Sequence, residues 1–195
     1  MAELSRSEIV QAIKDGTLPA DYRIPHHMVF SLSEDSFTQP SGRFHDELFN
    51  QMSTTLSYLQ TKGYGQQLFR DILANPQNTG AIPIRTEFSR KTPADATPID
   101  SVAQYVNGAT NGSENELIFN TKHMASFASG PLAHWGFQYA LLGIVHEGDH
   151  AARAQMLPLG GAIPMPFIVS LYEKLAMERE QIARDDLIAQ GKGPL

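Results

Sequence analysis

From Phe137 to Val145 the sequence is apolar on nearly every side of a helix (Phe137, Tyr139, Leu141, Leu142, Ile144, Val145), and it runs straight into His146-Glu147-Gly148-Asp149-His150. A helix that is apolar all round belongs inside a domain. Ionisable side chains in such a helix are costly unless something satisfies them. The segment therefore demands both a surrounding fold and a partner for its His and Glu residues. Residues four apart on a helix share a face, about 6 Å apart along the axis, so two imidazoles can reach one tetrahedral metal ion. Glu147 stands beside that pair, where it can hold an activated water and take its proton, while the metal polarises a carbonyl and brings the water pKa to roughly 7. The H-E-x-x-H spacing thus offers two metal ligands, His146 and His150, and a general base, Glu147. The competing reading is structural: two core histidines bonded to backbone, with Glu147 paired to Arg153.

A zinc site of this kind takes a third protein ligand and leaves the fourth position to water. The chain has no Cys, no His follows His150, and Met156 stands where the third His of an extended H-E-x-x-H-x-x-G-x-x-H would fall. The third ligand is expected to be a carboxylate on the final helix, where Glu173, Glu178 and Glu180 are the candidates. Glu173, Ala176, Glu180 and Ala183 share one helix face, and its alanines let another helix come close. Glu178 lies near the stripe of Leu171, Leu175 and Ile182 and reads as solvated surface. The spacing favours Glu173 as the ligand, with Glu180 orienting one of the histidines or serving as an alternative ligand. His134 falls about 120° around the helix from His146 and is not expected to be a ligand. His123 and Tyr172 could each donate to an oxyanion, but surface and packing roles suit them as well.

The remaining periodicities predict an α+β domain. Phe44, Leu48, Phe49, Met52, Leu56 and Leu59 mark a helix over Phe44–Thr61, and a shorter one covers Gly65–Ala74 before Asn75-Pro76. Ala81–Phe88 alternates like a strand, and Pro83 assigns it to an edge or a strand start. Residues 89–115 read as a long loop. Glu116–Thr121 reads as a second strand, expected to be the edge that pairs with an extended substrate. A loop through Gly130-Pro131 leads to a helix over Leu132–Met156. A Pro/Gly loop from Pro158 to Pro166 then precedes a last helix over Phe167–Gln190. Residues 1–43, with a short helix near Ser5–Asp15 and then Pro- and Ser-rich sequence, are expected to form a poorly packed or disordered arm, leaving residues 44–195 as the domain.

The 195-residue length suits one domain, at roughly 150 residues per domain. A net charge of −6 with no long basic run argues against nucleic acid. The absence of Cys excludes disulfides, iron–sulfur clusters and thiol catalysis. No apolar run is long enough to span a bilayer, and the first residues lack a cleavable signal pattern. The expectation is a soluble protein, cytoplasmic or exported without a cleaved signal peptide.

The order of these pieces resembles the zincin metallopeptidases, in the compact form of the NleD-like bacterial effector peptidases. The resemblance runs from Phe44 to Gly193. It covers the first helix and Thr61-Lys62-Gly63, the strand with Ile82 and Ile84, Leu117-Ile118-Phe119-Asn120, the His146 motif followed by Ala151, and Glu173-x-x-Ala176-x-x-x-Glu180. It implies a small zincin-like sheet on the helix of the motif, a cleft beside it, and zinc endopeptidase activity on protein substrates. It also implies a secreted effector that acts inside a host cell. His146 and His150 match the family's zinc ligands and Glu147 its catalytic base. The chain departs from the family at Gly148 and Asp149, where apolar residues are usual. The alternatives are a non-catalytic metal-binding protein of the DinB-like helical-bundle type, echoed by His150–Gln155, and a deformylase-like hydrolase, whose Cys ligand the chain lacks.

Overall fold

The apolar stripe that begins near Phe44 builds the first long helix of a computed structural model that describes residues 4–92, 101–108, 114–128, 136–154 and 165–191. A short helix α1 (Arg6–Lys14) precedes it. Helix α2 spans Asp46–Thr61 and buries Leu48, Met52, Leu56 and Leu59. Only Lys62 separates it from α3 (Gly63–Ala74), which buries Leu68, Phe69, Ile72 and Leu73. The corner is tight: a Cβ at Gly65 would lie 2.1 Å from the Leu59 carbonyl oxygen, so only glycine fits.

Four strands form one sheet in the order β1-β2-β4-β3: β1 (Phe30–Leu32), β2 (Ile82–Thr86), β3 (Ala103–Val106) and β4 (Glu116–Phe119). β1, β2 and β4 are parallel to one another, and β3 runs antiparallel to β4. Helices α4 (Thr121–Ala128), α5 (Gly136–Arg153) and α6 (Met165–Ala189) follow. The domain is α+β, and among the described residues no helix is long and apolar enough to cross a membrane.

Three expectations are corrected by this topology. β2 is an interior strand, so of the two readings of Pro83 the edge is corrected and the strand start holds, Pro83 being the second residue of β2. Ile82 donates its N–H to Val29 of the β1 side, whereas β4 pairs with β2 only from Ile84 onward, so the missing N–H of Pro83 falls before that ladder begins. β4 is also interior and buried along its whole length, so it cannot be the substrate-pairing edge. The edges are β1 and β3, and β3 lies inside the stretch read as loop. The third correction is α4, which occupies part of the expected loop before Gly130-Pro131. That turn, Leu132–Trp135, Gln155, Met156 and Pro158–Pro164 lie outside the described residues.

The N-terminal segment is not a loose arm. Ile9, Ile24, Val29, Phe30 and Phe37 are fully buried in the common core, and β1 is part of the sheet. Polar side chains from the later chain hold its backbone. Gln66 both donates to and accepts from the Ile24 peptide, and Arg70 donates to the carbonyls of Pro19, Ala20 and Tyr22. Arg6 reaches the carbonyls of Met28, Asn78, Thr79 and Gly80. Such clasps leave no hydrophobic period to read, which is why the segment looks unstructured in sequence.

Helix α5 lies at the centre, touching α2, α3, α6 and β3. Its glycines permit the approach. A Cβ at Gly143 would sit 3.1 Å from the Phe119 ring, and one at Gly148 would sit 3.1 Å from the end of Leu68 on α3. The Gly in the middle of the motif thus faces the flexible end of a side chain on the neighbouring helix.

Candidate metal centre

Helical spacing stacks His146 and His150 on one face of α5, with ring centroids 5.0 Å apart. Facing them across the α5–α6 interface is Glu173. One carboxylate oxygen lies 3.4 Å from Nε2 of His146 and the other 3.3 Å from Nε2 of His150. One ligand atom from each of the three residues can be chosen so that all lie within 4.8 Å of one another, a grouping that could hold a metal ion. Glu180, two turns further along α6, meets the other side of His146, with its Oε2 3.1 Å from Nδ1, while Arg184 donates to its second oxygen at 2.7 Å. Glu178 points elsewhere and lies 4.0 Å from Lys174 on the exposed side of α6.

The donor set fits a cation. A carboxylate at Nδ1 fixes the proton of a neutral His146 there, leaving the Nε2 lone pair directed at Glu173. Two acceptors at 3.4 Å repel unless a positive charge lies between them, either a second proton or a metal ion. The hydrogen bond to Glu180 raises the His146 pKa, and the same contact holds Glu180 below the usual carboxylate range. Burial lowers that of His150. A His–carboxylate pair of this kind also orients a metal ligand and raises its basicity.

Glu147 is half-buried beside the pair, and that burial pushes its carboxyl up to about 7. Its Oε2 accepts the backbone N–H of Tyr105 at 2.8 Å. That amide is on the outer side of β3: Asn120 of the neighbouring chain segment bonds Val102, so the alternate residues Ala103 and Tyr105 direct their backbone groups away from β4. Arg153 does not pair with Glu147. It binds Asp149 at 2.6 Å, so the structural alternative based on a Glu147–Arg153 pair is not what forms.

A cavity of about 750 Å³ opens over His146, Glu147, His150 and Glu173, with β3 on one side and the start of α6 on the other. Tyr172 and Val169 form part of its wall, together with Tyr105 and Asn107. His123 does not line it, and His134 lies outside the described residues. Several contributors carry no sequence signal of their own. The edge strand is one. Another is the cap on α5, where the Asn75 amide donates to the carbonyls of Ala151, Ala152 and Ala154, and Asn78 also reaches Ala151.

Compared with protein-family models, curated proteins and solved structures, the chain matches none.

Proposed function

We propose that this chain is a zinc-dependent endopeptidase that hydrolyses peptide bonds in a protein substrate. The observation that carries the reading is the convergence of His146 Nε2, His150 Nε2 and the Glu173 carboxylate beside a half-buried Glu147, all on one cavity wall. Two imidazoles and one carboxylate with room for a fourth ligand suit zinc and a hydrolytic site. When bound, zinc would supply Lewis acidity toward a substrate carbonyl and a water.

The chain's own groups divide the remaining work. Tyr105 N–H holds one oxygen of Glu147, leaving the other to accept the water's proton and later pass it to the leaving amine. Glu180 holds His146 in the tautomer that offers Nε2. With the Tyr105 N–H held by Glu147 and the Ala103 carbonyl by Ser101, the outward Ala103 N–H and Tyr105 carbonyl are the groups an extended peptide would join, a role that moves from β4 to β3. The resemblance to the NleD-like peptidases supports a protein substrate and an effector's delivery into a host cell.

The test is metal analysis and proteolysis on the same preparation. About one zinc per chain, lost in His146→Ala, with cleavage of a peptide library that stops in Glu147→Gln, supports the proposal. Cleavage that survives both substitutions refutes it.

A further inference from the structure

We propose that Arg179 is a positioning residue that sets the register of α6 against α5 and so determines whether Glu173 meets the two histidines. The inference rests on the zinc reading above. It starts from Asp149, the charged residue where the resembling family has an apolar one. Asp149 is completely buried, three residues after His146 and one before His150. Its charge is met by Arg153 from its own helix and by Arg179 from α6, whose Nε lies 2.8 Å from Oδ1. The Arg179 guanidinium also contacts Asp71 of α3 at 2.5 Å. One side chain of α6 is therefore clamped between two carboxylates on two other helices.

The apolar face of α6 does little to fix this register, and the tie of Asp186 to Tyr58 and Lys62 holds the far end of the helix, two turns beyond Arg179. The buried face of α6 is Ala176, Ala183 and Leu187, and alanines permit close approach without interlocking. Apolar contact is non-directional, whereas the rigid Arg179 guanidinium is fixed by a hydrogen bond from Nη2 to Asp71 and an ion pair from Nε to Asp149. A slip of a single residue would move α6 by about 1.5 Å along its axis, and a full turn by about 5.4 Å. Either shift would separate Glu173 from Nε2 atoms that now lie 3.3 and 3.4 Å away. Arg179 and Glu180 are consecutive, so the clamp acts next to the residue that holds His146.

The experiment measures Zn²⁺ affinity by chelator competition and the visible spectrum of the Co²⁺-substituted full chain. The central variant is Asp149→Leu/Arg179→Met, which removes both charges so that neither is left buried alone. The expected result is a folded protein with zinc affinity weakened about 10–100-fold. Its Co²⁺ spectrum should lose the intensity of four-coordination in the same way as that of Glu173→Ala. Adding Glu173→Ala to the double variant should weaken binding little further, because both changes remove the same ligand. Wild-type affinity and spectrum in the double variant overturn the inference, and so does a loss that adds in full to that of Glu173→Ala. If the double variant does not fold, Arg179→Lys decides: one ammonium cannot span both carboxylates, so a weakened site with an altered Co²⁺ spectrum supports the clamp and an unchanged site overturns it. A wild-type chain that binds neither metal refutes the zinc reading itself.

Discussion

Glu180 meets Nδ1 of His146 at 3.1 Å, on the edge of the ring opposite the nitrogen that faces Glu173. One imidazole thus bridges two carboxylates of the same helix. Seven residues separate them in sequence, about 10 Å along the axis, so they cannot both reach one ion. Their roles are divided by geometry rather than by chemistry.

That division predicts graded losses of metal. Glu173→Ala should weaken zinc binding by orders of magnitude, Glu180→Ala by about 10–100-fold, and Glu178→Ala not at all. Chelator competition on the purified variants measures all three. A Glu180 variant that loses more metal than the Glu173 variant would exchange the two assignments.

Glu147→Gln should keep its zinc and its fold while hydrolysis falls by about 10²–10⁴-fold, since the amide can still accept the Tyr105 N–H but cannot take a proton from water. Metal content and cleavage rate, read on one sample, separate this outcome from loss of the site.

Removing residues 1–40 should unfold the protein. It takes Ile9, Ile24, Val29, Phe30 and Phe37 out of the core and strips β1 from β2. At about 1.5–3 kcal/mol for each buried side chain, the loss is on the order of 10 kcal/mol, comparable to the whole stability of a typical domain. Circular dichroism and thermal melting of the truncated chain check this.

Two glycines should respond differently to a methyl group. At Gly65 the new Cβ meets backbone, the Leu59 carbonyl oxygen, which cannot move aside. Gly65→Ala should cost about 1–3 kcal/mol. At Gly148 it meets the flexible end of Leu68, and the gain in helix propensity of about 1 kcal/mol offsets the crowding, so Gly148→Ala should be nearly neutral in chemical denaturation.

Asp186 gives a pH signature far from the metal centre. Burial works to raise its pKa, but hydrogen bonds from Tyr58 at 2.6 Å and Lys62 at 3.1 Å hold it below the usual carboxylate range. A carboxylate depressed on folding stabilises the native state above its unfolded pKa, about 3.9, and that contribution disappears as pH falls through the folded value. Asp186→Asn should therefore melt below the parent at pH 7, and the two curves should converge in acid.

The sequence was most legible where one helix carries its own period. The stripes of α2 and α5 and the face shared by Glu173 and Glu180 follow from spacing alone. The topology was harder to read because the deciding interactions are long-range. β3 is four residues long and is placed beside Glu147 by its pairing with β4, and whether Pro83 marks an edge or a strand start is decided only by the staggered start of the β2–β4 ladder. The N-terminal segment is hard to read for a related reason: Gln66 and Arg70 hold it by its backbone and its own Arg6 holds the backbone of Asn78, Thr79 and Gly80, and a bond to a distant peptide leaves no pattern in the residues it binds. Asp149 departs from the apolar residue usual at its place in the motif, and of its two counter-charges only Arg153 is near in sequence; the other, Arg179, is thirty residues away.

Because Glu173 reaches the histidines from a different helix, an ion at that centre would act as a removable rivet between the two. Binding to the assembled pair alone adds RT ln(1 + [metal]/Kd) to the free energy of keeping α6 docked. The C-terminal helix, with Val169, Met177, Ile182 and Ile188 exposed along it, is the element this linkage would govern most directly. Chelation should therefore be felt first as hydrogen exchange and protease cutting within α6, at temperatures where the sheet and the helices beneath it remain closed.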